Sequence, residues 1–261
     1  TLAEVAKHNT KDDAWLVYRS KVFDISAWGS HPGGQIIFTH AGRDATDVFN
    51  SFHPKSAYAL LDRFYVGDLV KDDRGKEVTP FSRDMDVIRA SAFKMGLHKA
   101  SSAYYVFKVA SNVALWAAGI ACCAYNGGSM AMILLGAFFI GLFWQQNGWL
   151  AHDFCHHQVF DRRVFGDIMG LIIGNVWQGF SVEWWKDKHN THHAIPNMHE
   201  SEEGLHDGDP DIDTMPLLAW SQTMARKAVG AGAVGRFFIR HQSFLYFPIL
   251  LVARLSWLLQ S

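Results

Sequence analysis

The sequence is poor in cysteine and has no excess of charge of either sign. It has three cysteines in 261 residues, and Cys122 and Cys123 are neighbours in an apolar stretch. This pattern gives no plausible disulfide framework and fits a chain that faces a reducing compartment. The 24 Lys and Arg residues are balanced by 25 Asp and Glu residues. This balance excludes the strongly basic class of protein that binds nucleic acid.

Histidine and tryptophan, by contrast, are abundant, with 14 and 10 residues. Clustered histidines commonly hold redox metals, and tryptophan is enriched where a protein meets a membrane interface. Hydrophobic residues make up 49% of the chain, which is ample for a buried core. The composition therefore favours a protein that binds metal and is associated with a membrane.

Residues 1–70 mix polar and apolar side chains and predict a small soluble α+β domain. Residues 15–18 and 21–25 are β-branched or aromatic stretches separated by turn residues, as is typical of strands. Thr1 and Glu4 form a capping box that opens a short helix. We therefore expect the first residue to lie inside a folded unit and the N-terminus to have been clipped.

The composition changes after this domain. Residues 71–102 begin with a charged stretch that contains Gly and Pro and continue with helical spacing, so they predict a linker and an amphipathic lead-in helix. Residues 103–261 are dominated by apolar runs and predict an all-α, membrane-embedded domain. Residues 103–125 and 130–150 each approach the ~20 residues that cross a bilayer, and residues 237–259 form either a third span or an interfacial helix.

The flanks of the first two runs give the hairpin an orientation. Basic residues precede the first run and follow the second: Arg83, Arg89, Lys94, Lys99, Arg162, Arg163, Lys186 and Lys188. The four-residue turn between the runs carries no charge. The positive-inside rule then places both outer flanks in the cytosol. The alternative is that these runs are core helices of a soluble protein, but a short turn between two long apolar runs favours a membrane hairpin.

Two histidines in separate turns form the first candidate metal site. His31 begins a His-Pro-Gly-Gly sequence, and His53 follows 22 residues later. Alone, such a pair is more often solvated or packed in a core. Two histidines that are each backed by an apolar helix can also clamp an iron porphyrin from opposite faces, which suits the iron to passing single electrons. Residues 1–69 resemble the cytochrome b5 family, and the resemblance implies that His31 and His53 are the axial ligands of haem b.

Two further clusters, which we call the first and second boxes, follow the second apolar run. The first box is His152 and His156, and the second box is His189, His192 and His193. On a helix, spacings of three and four residues place side chains on one face, so both boxes predict chelating sets. Imidazole binds iron, copper, zinc and nickel alike, so the spacing names no metal. Histidines that line a membrane interface without binding anything are the structural alternative.

The order of the boxes, His-x3-His and then His-x2-His-His, resembles membrane fatty-acyl desaturases. Residues 148–153 and 209–217 resemble the front-end subgroup, which carries an N-terminal cytochrome b5 domain. The resemblance implies that His152, His156, His189, His192 and His193 hold a non-haem di-iron centre. The implied reaction uses O2 and electrons from the b5 haem to introduce a cis double bond into a polyunsaturated acyl chain.

The resemblance also implies the partners and the location. The electron donor is expected to be NADH-cytochrome b5 reductase, and the substrate an acyl-CoA or a phospholipid acyl chain. The protein is expected in the endoplasmic reticulum membrane, with the haem domain and the boxes facing the cytosol. Selectivity for the Δ6 position is favoured, with Δ5 and Δ8 open. The alternatives are a membrane-anchored cytochrome b5-type electron carrier, a di-iron lipid hydroxylase and a sphingolipid desaturase.

The family's third box, Gln or His followed two residues later by His-His, is missing from the sequence. His241 is followed by Gln, Ser and Phe and does not supply the pattern. We therefore expect a C-terminally truncated fragment that binds haem and assembles no active di-iron centre.

Three polar features near the boxes have open roles. His157 is a candidate sixth ligand, and Asp153 is a candidate for orienting a ligand ring through its second nitrogen. Asp209, Asp211 and Asp213 are expected to form a capped surface turn rather than a calcium site.

Overall fold

A computed structural model describes the chain except for residues 32, 54–56, 74–78, 201–206, 215–216, 231 and 261, and except for the side chains of residues 72, 253, 254 and 257. Pro32, which follows the first haem-ligand candidate, and part of the predicted linker lie outside the described residues. The chain forms two compact units, and each consists of two segments: Thr1–Ile88 with Asp187–Val252, and Arg89–Lys186 with Ala253–Ser261.

The N-terminal part of the first unit has the predicted mixture of short helices and strands. The Thr1 side chain accepts a 3.1 Å hydrogen bond from the Glu4 backbone N–H, which confirms the predicted helix start. The strands form an antiparallel sheet in the order β1-β2-β3: β1 Trp15–Tyr18, β2 Lys21–Asp24 and β3 Tyr65–Asp68. The helices are α1 Leu2–Val5, a 3₁₀ helix Gly34–His40, α2 Thr46–Phe52 and α3 Tyr58–Leu61.

A small apolar core holds the sheet against these helices. Phe23 and Ile25 from the region of β2 are almost fully buried, and they join Phe38, Phe49 and Leu61 from the helices. Burial of each such side chain stabilises the fold by roughly 1.5–3 kcal/mol. The predicted α+β class of the N-terminal domain is therefore confirmed.

A helical hairpin dominates the second unit. After α4, Pro80–Lys94, the chain forms α5, Ser102–Ala124, and α6, Met130–Cys155. Among the described residues, α5 and α6 are the helices long and apolar enough to cross a membrane. Only 11% and 17% of their most apolar windows are buried, so their surfaces suit lipid better than the core of a soluble protein. Helix α6 extends past the predicted end of the second span and carries the first box.

Polar side chains link the two helices of the hairpin. Lys108 Nζ donates to Gln146 Oε1 at 2.6 Å, and Asn112 Nδ2 donates to Asn147 Oδ1 at 3.0 Å. Both asparagines are almost fully buried. A polar side chain facing hydrocarbon is costly unless it is hydrogen-bonded, so such pairs fix how the two helices meet.

The remaining helices follow α6. They are α7 Arg163–Gly170, a π-helical segment Leu171–Gln178, α8 Val182–Ala194, α9 Gln222–Gly230, α10 Ala233–Arg240 and α11 Gln242–Gln260. The predicted third apolar stretch is divided between α10 and α11, and Pro248 lies inside α11. In the second unit, Phe154, Ile173, Phe180 and Trp185 share a buried apolar cluster that supports the end of α6.

Candidate functional site

The two haem-ligand candidates face each other in the N-terminal domain. His31 precedes the 3₁₀ helix, and His53 caps the C-terminus of α2. Their ring centroids lie 5.9 Å apart, with the ring planes at 57°. An imidazole nitrogen binds a metal ion at about 2.0–2.1 Å, so two rings on opposite sides of one ion need centroids roughly 6 Å apart. The pair therefore leaves room for one iron.

The Phe49 carbonyl orients the ring of His53, and burial favours the neutral form of His31. Nδ1 of His53 lies 3.1 Å from the Phe49 carbonyl oxygen, which can only accept, so Nε2 of His53 is the nitrogen left for a metal. Burial lowers the pKa of the His31 imidazole, and the nearby His53 lowers it further. A Cβ on Gly33 would lie 2.9 Å from Cε1 of His31, so a side chain at this position would displace the ring. These features fit a neutral, closely packed axial ligand.

The first box lies at the C-terminal end of α6. The His152 and His156 rings have centroids 4.5 Å apart, and each centroid lies 5.6 Å from a ring of Trp185. Nδ1 of His152 lies 3.1 Å from Oδ1 of Asp153, whose Oδ2 accepts a 2.9 Å hydrogen bond from the Tyr105 hydroxyl. A carboxylate can only accept, so this contact holds the proton on Nδ1 and leaves Nε2 of His152 for a metal.

His157 has a different environment from the two histidines of the first box. Its backbone is left-handed, with φ of 56°, so the chain leaves the helical path at this residue. Nε2 of His157 lies 3.6 Å from Asp167 and 3.4 Å from Nζ of Lys186, which donates to Asp167 at 2.9 Å. Burial and the positive charge of Lys186 lower the pKa of His157. This ring therefore belongs to an ion-pair cluster beside the box.

The second box lies on α8, which ends two residues before Pro196, a residue that cannot continue a helix. Nε2 of His189 and Nε2 of His193 are 3.0 Å apart. The ring centroid of His192 lies 5.6 Å from that of His189 and 5.5 Å from that of His193. The predicted clustering of the three imidazoles on one helix is confirmed, and this is a donor set that suits iron among other metals.

The acidic turn after the second box departs from the expectation. The sequence predicts a surface turn at Asp209, but the side chain of this residue is fully buried. Its two carboxylate oxygens lie 3.0 and 2.9 Å from Nδ1 of His192, and they also accept from the backbone N–H groups of Asp211 and Asn197. The capped turn is therefore present as predicted, but Asp209 is buried and not at the surface, because spacing alone cannot show that a turn folds back onto a helix. Asp211 is half-exposed, as a surface turn requires.

The comparisons with known proteins cover nearly the whole chain. Residues 1–70 match the family described as cytochrome b5-like heme/steroid binding domain, and residues 129–260 match fatty acid desaturase. An acyl-lipid (9-3)-desaturase of Physcomitrium patens is 42% identical over all of this chain and 48% of its own length. A delta(8)-fatty-acid desaturase of Helianthus annuus is 32% identical over all of this chain and 57% of its own length.

A third relative agrees with these two. The delta(6)-fatty-acid desaturase fat-3 of Caenorhabditis elegans is 34% identical over 96% of this chain and 58% of its own length. The chain thus spans about half the length of the curated relatives it matches. The fatty acid desaturase match covers half of the chain and contains both histidine boxes. The chain therefore belongs to the fatty acid desaturase family and carries a cytochrome b5-like domain at its N-terminal end.

Proposed function

We propose that this protein is a front-end desaturase that introduces a cis double bond into a polyunsaturated fatty-acyl chain with O2 as oxidant. Selectivity for the Δ6 position is favoured, with Δ5 and Δ8 as alternatives, and the names of the relatives include both delta(6) and delta(8). One observation carries the proposal: a single chain combines a facing pair of imidazoles in its b5-like domain with two helical histidine boxes in its desaturase segment.

The residues of the b5-like domain fit a haem. His31 and His53 are proposed as its axial ligands, because their separation suits one iron, the Phe49 carbonyl orients His53, and burial favours the neutral form of His31. A haem held by these two histidines would supply single-electron transfer rather than O2 binding. A buried Phe49 stacks on the His53 ring at 4.3 Å and shields the ligand from water.

The donor chemistry of the boxes fits non-haem iron. His152, His156, His189, His192 and His193 are proposed as ligands of a di-iron centre, with His157 as a further candidate. The centre, when loaded, would activate O2 to remove two hydrogens from an unactivated acyl chain. The part played by the protein is to keep the ligand rings neutral and oriented. Asp153 does so for His152 through the contact with Nδ1.

A contact in the first unit supports transfer of electrons from the haem to the second box. The Phe52 ring, adjacent in sequence to His53, lies edge-on to the His193 ring with centroids 6.5 Å apart. NADH-cytochrome b5 reductase is proposed as the electron source. The charge flanks of the apolar hairpin support a cytosolic position for the haem domain and the boxes. The endoplasmic reticulum is proposed as the membrane.

Expression in yeast tests the proposal. Two forms would be compared: the chain itself, and the chain continued at its C-terminal end with the remaining segment of the Physcomitrium patens relative. Each would be fed Δ6, Δ5 and Δ8 substrates in turn, and fatty-acid methyl esters would be separated by gas chromatography. A new double bond at one position from the continued chain supports the proposal and identifies the regioselectivity.

The haem spectrum provides the folding control. A continued chain that shows a full b5-type spectrum and yields no desaturated product contradicts the desaturase proposal. That outcome would favour the membrane-anchored electron carrier. A hydroxylated product would instead favour the di-iron lipid hydroxylase.

A further inference from the structure

We propose that Asp209 is a positioning residue that fixes the His192 imidazole with its proton on Nδ1 and directs Nε2 toward the metal. The inference rests on the proposed function, because it takes His192 to be a metal ligand. It goes further by assigning a role to a carboxylate outside both histidine boxes.

The contacts of the two side chains carry the inference. Nδ1 of His192 lies between the Asp209 oxygens, 3.0 Å from Oδ1 and 2.9 Å from Oδ2. A carboxylate offers only acceptors, so Nδ1 must be the protonated nitrogen. In a neutral ring Nε2 then has a free lone pair, which is what a metal needs. A hydrogen bond from the second nitrogen is how metal-binding histidines are commonly oriented.

The burial of Asp209 shows that this contact is built into the fold. The side chain has no exposed surface, while the His192 side chain is 29% exposed. Burial of a carboxylate is costly unless hydrogen bonds replace its water. Asp209 is compensated on both oxygens, because the Asp211 N–H donates to Oδ1 at 2.9 Å and the Asn197 N–H donates to Oδ2 at 2.7 Å.

The backbone around Asp209 is arranged to bring it to α8. The Asp209 N–H donates to the Met198 carbonyl oxygen at 2.8 Å. Gly208 has φ of +91°, and a Cβ there would lie 2.8 Å from the backbone nitrogen of Glu200. Asn197 adopts a left-handed conformation with φ of 61°, which turns its N–H toward the carboxylate. The turn therefore depends on residues that tolerate positive φ.

Neither simple capping of the turn nor orientation by Asp211 accounts for the contact with His192. If Asp209 served only to cap the turn, the two backbone N–H groups would be sufficient and the His192 ring would not need to lie between its oxygens. If Asp211 were the orienting group, it would be closer, but its Oδ2 lies 3.6 Å from Nδ1 of His192 and its side chain is 49% exposed. The distance is too long for a hydrogen bond.

Nitrogen-15 NMR of the histidine-labelled chain in lipid nanodiscs tests the proposal without any metal. The His192 signals would be assigned by comparison with His192→Gln, at a pH where the rings are neutral. We expect the Nδ1–H form of His192 in the wild-type chain. Asp209→Asn removes the charge at nearly constant size and should shift the ring toward the Nε2–H form. Asp211→Asn is the matched control and should leave the tautomer unchanged.

Cobalt provides a second measurement on the same variants. Competition titrations with Co²⁺ on the continued chain should show affinity about 10–100-fold weaker for Asp209→Asn than for the wild-type residue, as is usual when a group that orients a ligand is lost. Asp211→Asn should remain within a few-fold of the wild-type affinity. Combining Asp209→Asn with His192→Gln should add little to the effect of His192→Gln alone.

The outcomes separate this inference from the proposed function. An Nε2–H tautomer of His192 in the wild-type chain, or a shift caused by Asp211→Asn rather than by Asp209→Asn, overturns the positioning role. A tautomer shift that appears only with loss of the helical circular dichroism signal also overturns it, because Asp209 would then be structural. A continued chain that takes up no cobalt contradicts the proposed ligand set, and the tautomer measurement alone then decides the role of Asp209.

Discussion

The Tyr105 hydroxyl on α5 donates a 2.9 Å hydrogen bond to Oδ2 of Asp153 on α6. The other oxygen of Asp153 faces Nδ1 of His152 at 3.1 Å. The first helix of the hairpin thus supports a histidine of the first box through one carboxylate. Such an arrangement links the packing of the hairpin to the orientation of a proposed iron ligand.

Tyr105→Phe should weaken the hairpin and loosen His152. Loss of a hydrogen bond to a charged group costs roughly 1.5–3 kcal/mol, which should lower the thermal unfolding midpoint of the chain in detergent. Tyr104→Phe is a matched control, because Tyr104 is the neighbouring residue and its side chain is half-exposed. Equal midpoints for the two variants would show that the Tyr105 hydroxyl contributes nothing to stability.

His53→Ala should abolish stoichiometric haem binding. The variant keeps His31 but removes the facing imidazole, so the porphyrin loses one of its two axial ligands. The measurement is the Soret absorbance per chain after purification with added haem. His40→Gln is the control, because His40 lies in the same domain with Nδ1 bonded to the Thr39 hydroxyl. Full occupancy in His53→Ala would contradict the proposed ligand pair.

Phe52→Ala should lower the rate at which the reduced haem is oxidised, without changing the rate at which the haem is reduced. Phe52 contacts the His193 ring, so its loss removes a contact between the segment that holds His53 and the second box. Stopped-flow absorbance of the continued chain with reductase, NADH, O2 and substrate separates the two steps. Leu60→Ala is the control, since Leu60 is 41% exposed and Phe52 is 38% exposed. A change in the reduction step alone would place Phe52 at the reductase contact instead.

Local patterns in the sequence predicted the structural features that depend on residues close together in the chain. β-Branched and aromatic residues separated by turn residues predicted β1 and β2, and spacings of three and four residues predicted that the imidazoles of the second box would share a helix. The capping contact of Thr1 with Glu4 was also predictable, because both groups lie within one helical turn. These features depend on interactions within a few residues.

Contacts between distant residues were not predictable in the same way. Tyr105 and Asp153 are 48 residues apart in the chain, and His192 and Asp209 are 17 apart. Periodicity shows which face of an element is apolar but not which polar groups on two elements meet. The π-helical segment Leu171–Gln178 was missed for a related reason, because an apolar run carries no signal for a widened turn.

The Asp167–Lys186 pair should make the stability of the second unit depend on pH. The hydrogen bond from Lys186 holds the pKa of Asp167 below its ordinary value, although partial burial opposes this, and His157 and Arg163 also face the carboxyl. An ordinary aspartate titrates near pH 3.9 when unfolded. Because the folded pKa is lower, the stabilisation is fully present above about pH 4 and is lost as the pH falls through the folded value.

Thermal unfolding of Lys186→Gln, in a His157→Gln background that removes the titrating neighbour, checks this expectation. The variant should unfold at a lower temperature than the His157→Gln chain at pH 5 to 6. The two midpoints should converge as the pH falls below 4, because protonated Asp167 gains nothing from Lys186. A difference that stays constant over this range would mean that Lys186 stabilises the unit by packing alone.

Gly136→Ala should separate the two helices of the hairpin, whereas Gly141→Ala on the same helix should not. A Cβ on Gly136 would lie 2.5 Å from Sγ of Cys123 and 3.0 Å from the Gly119 carbonyl oxygen on α5, whereas a Cβ on Gly141 would meet nothing within 4 Å. The cysteine side chain can rotate, but the backbone oxygen cannot, so the helices must shift. Small residues at such contacts allow close packing in membranes.

The two alanine variants should therefore change stability in opposite directions. Overpacking at Gly136 should cost about 1–3 kcal/mol, whereas Gly141→Ala should gain up to ~1 kcal/mol from helix propensity. Thermal unfolding in detergent measures both. Separation of the helices should also lengthen the Tyr105–Asp153 hydrogen bond, so Gly136→Ala should weaken the support of His152 as Tyr105→Phe does. If Gly136→Ala were as stable as Gly141→Ala, the close approach of the helices at Gly119 would not determine the stability of the hairpin. The packing of the helices at this point would then have no effect on the support of His152.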